Sequence, residues 1–192
     1  GTLTEGLFGV SDTVLLAGGS EEEELRFAAS VESHSEHPIA QGIVAAAKER
    51  GIDFPAPGNV RNLTGEGIVA EVEGQDIRIV SPGHLARQGN PVPGSRLGEL
   101  EAEGKTVVVL VRNSVPRALF ALADIVRPES RKAIAELKTL GISSIMLTGD
   151  AKGVAASVSR ELGIQEYFAE VLPDEKSAKI KELQSRGLQV AM

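Results

Sequence analysis

The chain has 192 residues, of which 42% are hydrophobic, enough for one sizeable core or two small ones. A net charge of -7, from 27 Asp and Glu against 20 Lys and Arg, excludes the clustered basic surface that nucleic acids require, and the lack of Cys excludes disulfides, thiolate nucleophiles and Cys-based metal sites. No apolar run approaches the roughly 20 residues of a bilayer-spanning helix, and no signal peptide opens the chain, so a soluble cytoplasmic piece is expected.

The chain opens at Gly1 inside an apparent motif and stops at Met192 with a strand still running, and both ends read as cut points in a longer protein. Ser20 is placed to cap a helix over 21–31, with Glu23 closing a capping box and Glu21 to Glu24 forming a solvated first turn matched to the helix dipole. Pro38 starts a second helix, with His37 at its N-cap, an apolar stripe of Ile39, Ile43, Val44 and Ala47, and Gly51 as the stop. Alternation over 60–80 predicts a hairpin that turns at Glu73-Gly74-Gln75. Residues 89–94 read as a loop, and 106–112 with 117–123 as a second hairpin joined by 113–116. Past Asp124 the rhythm changes to a helix over 128–140, a strand over 142–147, a helix over 152–162, a short strand near Tyr167, a helix over 174–186 and a strand at Leu188. Strands alternating with helices form parallel sheets, so an α/β domain of residues 1–11 and 118–192 is expected to carry an inserted, mainly antiparallel lobe of 12–117.

In the α/β part, Thr148-Gly149-Asp150 ends an apolar strand just before a helix. The carboxyl ends of parallel strands and the amides of helix starts are where phosphates bind, although Thr-Gly-Asp alone is also a common turn. Lys176 lies in the first turn of a helix, where the dipole disfavours a cation and a phosphoryl group would supply it with a task; viewed alone, a solvated Lys is the ordinary alternative. In the inserted lobe, residues 32–38 hold two His three apart without a third ligand at helical spacing, so no metal site is expected. A His37 ring at the N-cap instead offers a flat face and a hydrogen-bonding nitrogen suited to a purine, with plain capping as the alternative. Gly65 and Gly67 permit close approach of a ligand to backbone, or mark a bulge. The P-loop-like stretch from Gly98 to Thr106 is rejected, because five residues separate its glycines and three of them are Glu.

Taken together these pieces resemble the heavy-metal-transporting branch of the P-type ATPases, in its copper-exporting subgroup. Residues 1–6, Gly-Thr-Leu-Thr-Glu-Gly, are similar to the tail of the signature Asp-Lys-Thr-Gly-Thr-Leu-Thr; Thr148-Gly149-Asp150 and Lys176 resemble the later phosphate-site motifs, and Asp124 with Arg127 the Asp-x-x-Arg hinge. Ser35-Glu36-His37-Pro38 and Gly65-Glu66-Gly67 resemble the nucleotide-domain signatures. The resemblance implies a haloacid-dehalogenase-like parallel-sheet phosphorylation domain, incomplete at both ends, with an inserted α+β nucleotide-binding domain. It implies ATP and Mg²⁺ as cofactors, the Mg²⁺ ligands lying outside these residues, and membrane and actuator domains as partners of a monomeric fragment. Glu32 would hydrogen-bond the adenine amino group, His37 would pack on the base, and Gly65 and Gly67 would make room for the nucleotide. Thr148 and Lys176 would hold the transferred phosphoryl group, with Gly149 and Asp150 beside it. Ser81 stands where the branch often has Asn. The attacking Asp of the signature would precede Gly1, so ATP binding without turnover is expected. A phosphatase of the same superfamily, or a nucleotide-binding module without chemistry, are the alternatives.

Overall fold

The computed structural model describes residues 2–172 and 175–191. Two compact units divide the chain, Gly1–Ile125 and Val126–Met192.

Unit 1 is built on a six-stranded sheet in the order β1-β6-β5-β4-β3-β2, from β1 (Thr4–Leu15), β2 (Gly58–Leu63), β3 (Gly67–Val72), β4 (Gln75–Val80), β5 (Thr106–Arg112) and β6 (Val115–Val126). The four pairings from β2 to β6 are antiparallel. The expected hairpin over 60–80 is thus three strands. Glu73 and Gly74, both at positive φ, form the two-residue turn that the right-handed twist of a hairpin favours. Asn113 and Ser114 do the same between β5 and β6, so the connection is two residues shorter than 113–116, and Pro116 is accommodated where the register shifts.

The helices α1 (Glu21–Glu32) and α2 (Pro38–Glu49) cover one face, α1 on β3 and β4 and α2 on β1. Leu25, Val31, Ile43, Ile77 and Phe120 are among the fully buried members of that core. The contact of α2 with β1 is backbone-close at Gly42, where a Cβ would lie 2.4 Å from the Phe8 carbonyl oxygen. Helix α2 ends as its glycine predicts: Gly51 takes φ +67, with Ile52 N–H on the Ala47 carbonyl at 2.9 Å. Ser20 accepts from the Glu23 N–H at 3.1 Å, but the Glu23 carboxylate turns away from a capping box to meet Arg112 at 2.8 Å. Nor is the acidic first turn wholly solvated. Glu24 is 0% exposed and accepts from Arg112 at 3.0 Å and Arg117 at 2.9 Å, tying α1 to the β5–β6 hairpin. The other face carries a second apolar cluster with Val109, Val111 and Leu119, covered by α3 (Pro82–Arg87) and α4 (Arg96–Ala102), both against β5.

Unit 2 holds α5 (Pro128–Thr139), β7 (Ile145–Leu147), α6 (Lys152–Leu162), β8 (Glu166–Phe168) and α7 (Lys176–Ser185). β7 and β8 pair in parallel, as the alternating order predicts. β7 starts later than the expected 142, because the Ile142 N–H is spent closing α5 on the Leu137 carbonyl at 2.9 Å. The expected helix start at Asp174 lies outside the described residues. No strand forms at Leu188; among the described residues 188–191 pair with no neighbour, and an isolated strand has nothing to satisfy its backbone. The compact units divide between 125 and 126, and β1 and β6 belong by pairing to the six-stranded sheet.

Candidate functional site

The end of α1 and the start of α2 carry the first group of residues. Glu32 closes α1, 6% exposed, and its carboxylate has no hydrogen-bond or ion-pair partner among the described residues. Burial pushes its pKa up from the usual carboxylate range to about 7. Five residues on, His37 caps α2: its Nδ1 accepts from the Ile39 N–H at 3.2 Å, and its own N–H reaches the Ser35 hydroxyl at 3.3 Å. The cap fixes the proton of the neutral ring on Nε2, leaving that N–H and the ring face of an exposed residue for a ligand. A buried acceptor and an outward N–H donor on one short junction are chemically matched to the edge and face of an aminopurine.

Gly65 and Gly67 flank the turn from β2 into β3, against which α1 packs. They differ in kind. Gly65 has φ +71 with open space around its missing side chain, whereas a Cβ on Gly67 would lie 2.0 Å from the Ile79 carbonyl oxygen of β4. Gly67 is therefore demanded by the sheet itself, and Gly67→Val would distort the β3–β4 pairing. Between them, the Glu66 carboxylate meets His84 Nδ1 at 2.8 Å and Arg87 Nη2 at 3.0 Å, both from α3. The Arg87 guanidinium first, then His84, holds the Glu66 pKa below its ordinary value. Ser81, which stands where the resemblance expects Asn, accepts from the His84 N–H at 3.2 Å as the cap of α3, and its N–H bonds the Glu66 carbonyl at 3.1 Å. This network was not anticipated from sequence. The one available signal was Ser81-Pro82, a capping residue followed by the residue favoured at the first helical position.

In unit 2, Thr148 follows β7 and donates its hydroxyl to Asp150 Oδ2 at 2.6 Å, while the Asp150 N–H returns to Thr148 Oγ1 at 3.1 Å. The backbone fastens the turn from below, Thr148 N–H to the Phe168 carbonyl at 2.9 Å and Val171 N–H to the Thr148 carbonyl at 3.0 Å. Gly149 and Asp150 are exposed, Thr148 half-buried. Lys176 begins α7, half-buried and without an ion-pair partner among the described residues. A recess of about 400 Å³ lies beside this turn, lined by Tyr167, Phe168, Val171 and the lysines Lys152 and Lys179. Asp124 and Arg127 stand on either side of the division between the units. Asp124 Oδ1 accepts from the Gly6 N–H at 2.8 Å, and Arg127 is the extended residue that precedes α5. Among the described residues no group of three or more His, Asp or Glu is arranged to hold a metal ion, and no helix is long and apolar enough to cross a membrane.

The family described as haloacid dehalogenase-like hydrolase matches residues 1–192. A protein of Archaeoglobus fulgidus named copper-exporting P-type ATPase B is 47% identical over 186 residues, 97% of this chain and 27% of its own length. Among solved structures, a zinc-transporting PIB-type ATPase aligns with a TM-score of 0.81 and 36% identity over 96% of this chain and 30% of that one. The catalytic domain of the CPx-ATPase CopB-B, solved to follow conformational changes upon nucleotide binding, aligns with a TM-score of 0.55 and 27% identity over 97% of this chain and 64% of that one. The chain spans about a quarter of the length of the curated relatives it matches, and the resemblance carried by the short motifs extends over nearly all of it.

Proposed function

The chain belongs to the haloacid dehalogenase-like hydrolase family, and from that premise we propose that it is the ATP-binding and phosphorylation region of a P-type ATPase that exports a heavy-metal ion. Copper is the proposed cargo, on the 47% identity to a copper exporter against 36% to the zinc-transporting structure. The observation that carries the reading is the Glu32 carboxylate, largely buried and without a protein partner among the described residues, five residues ahead of a His37 ring whose Nδ1 is already engaged. Burial disfavours the ionised form of this carboxylate while no protein donor meets it, and an adenine amino group offers it a hydrogen bond. A phosphatase would have no use for that pair.

Glu32 accepts from the adenine amino group, and His37 sets its ring against the base. In unit 2 the Thr148 hydroxyl and the Lys176 ammonium stabilise the transferred phosphoryl oxygens, work done by placed donors and point charge. In the empty protein Asp150 holds the Thr148 hydroxyl proton, which turns from that carboxylate to a phosphoryl oxygen when one binds, and the segment from Asp124 to Arg127 serves as the hinge. The reaction proceeds through an aspartyl phosphate whose carboxylate belongs to the Asp-Lys-Thr-Gly-Thr-Leu-Thr signature ahead of Gly1. Magnesium would neutralise the phosphates; its ligands are assigned outside these residues. The parent places this region in the cytoplasm beside its membrane and actuator domains, and these 192 residues alone bind ATP as a monomer without turning it over.

Calorimetric titration of ATP into the 192-residue chain and His37→Ala tests the reading. Saturable binding, weakened about tenfold in the variant as expected for loss of about 1.4 kcal/mol, with no release of phosphate, is the expected result. Equal affinity in the two proteins would remove the assignment.

A further inference from the structure

The turn between Gly65 and Gly67 carries a carboxylate, that of Glu66, at the place where the proposed nucleotide approaches the backbone. A bare carboxylate there would repel a polyphosphate. The structure ties this one down from α3 on both of its oxygens: His84 Nδ1 lies 2.8 Å from Oε2 and Arg87 Nη2 lies 3.0 Å from Oε1. The two partners have different surroundings. The His84 side chain is only 10% exposed, and its Nε2 meets the Gln88 side-chain amide at 2.9 Å, so the ring carries its proton on Nδ1 and donates it to Glu66. Arg87 is 62% exposed on the outer side of the same short helix. The helix is fixed in turn to the turn it grips, through the Ser81 N–H on the Glu66 carbonyl at 3.1 Å, and to the second core cluster through Leu85.

We propose that α3 is a charge-cancelling clamp on the glycine turn: His84 holds the Glu66 carboxylate in place and Arg87 neutralises it, so that the turn admits a nucleotide bearing several phosphates. Glu66, His84 and Arg87 are then positioning residues for polyphosphate recognition, acting through the turn. The inference rests on the nucleotide reading above and adds to it a reason for a Glu between two glycines. It also accounts for Ser81: with its hydroxyl committed to the α3 cap, that residue serves the site by fixing the clamp.

The test separates charge from shape. ATP and adenosine are titrated calorimetrically, at low salt, into the wild-type chain, Arg87→Ala and the double variant Glu66→Gln/Arg87→Ala. Removing Arg87 leaves the carboxylate facing the phosphates, so ATP affinity should fall about threefold to tenfold while adenosine affinity stays within about twofold. Deleting the charge in the double variant should restore ATP binding, and in about 0.5 M salt the difference between wild type and Arg87→Ala should vanish through screening. Equal losses for ATP and adenosine in Arg87→Ala, or no recovery in the double variant, would overturn the clamp, since a purely structural role predicts both. His37→Ala distinguishes the two layers of inference. If it loses affinity while Arg87→Ala is silent, the clamp alone fails. If wild type binds neither ligand, or His37→Ala binds as wild type does, the nucleotide reading fails and takes the clamp with it.

Discussion

Unit 1 and unit 2 are built to different depths. The first buries apolar clusters on both faces of a six-stranded sheet, with Leu25, Ile77, Leu110, Phe120 and Leu122 all at 0% exposure. The second has a two-stranded sheet, its buried apolar residues include Met146 at 8% on β7, Leu162 at 7% on α6 and Leu183 at 5% on α7, and its helix α5 buries no residue at all. Leu140 and Leu172 stand 73% and 62% exposed. The residues proposed to recognise the base, Glu32 and His37, lie on the well-packed unit, and Thr148 and Lys176, proposed to hold the phosphoryl group, lie on the shallow one.

The largest expected effect tests whether the contrast is one of independent cores. Phe120→Ala should cost unit 1 about 3–5 kcal/mol yet leave amide hydrogen exchange in α6 and β8 at wild-type rates. Matching acceleration in both units, seen by mass spectrometry, would break the contrast.

Next in size is Glu32. Its folded pKa of about 7 lies above the ordinary 4.5, so between those values the native state binds more protons than the unfolded chain, and unit 1 loses stability as pH rises through that window. The loss amounts to about 3 kcal/mol by about pH 8. Glu32→Gln should therefore be more stable than wild type at about pH 8 and nearly equal to it at about pH 4.5, as followed by urea unfolding. In the wild type, ATP affinity should rise with pH across the same window, because the ionised carboxylate is the better acceptor. A flat pH profile in both measurements would mean that the carboxylate is solvated after all. The smallest effect sharpens the picture of unit 2: Leu140→Ser should change its melting temperature by no more than about 0.5 kcal/mol implies, because an exposed side chain leaves no cavity.

Much of this was legible from local chemistry. Ser20, His37, Pro38 and Gly51 announce their caps and stops, Glu73-Gly74 announces a turn, and Lys152–Leu162 is the helix its pattern predicts. Thr148 and Asp150 are two residues apart, so the hydrogen bonds between them could be expected from the motif. The short helix α3 was missed because six residues carry too little periodicity to be seen. The strand at Leu188 was over-read because an apolar run promises a strand only where a partner strand exists to pair with it.

The sequence alone determined the longer helices with their caps and stops, the hairpin turn at Glu73-Gly74, the change to alternating strands and helices past Asp124, and the residues at each motif that carries the family resemblance, because those depend on neighbours within a few positions. Only the tertiary structure decided that Glu24 is buried between Arg112 and Arg117, that Glu32 is buried with no partner among the described residues, that Gly67 lies against the β4 backbone, and that Glu66 is held by His84 and Arg87. Burial, close backbone approach and charge pairing depend on which distant segments the fold brings together, and no local pattern in the chain encodes them.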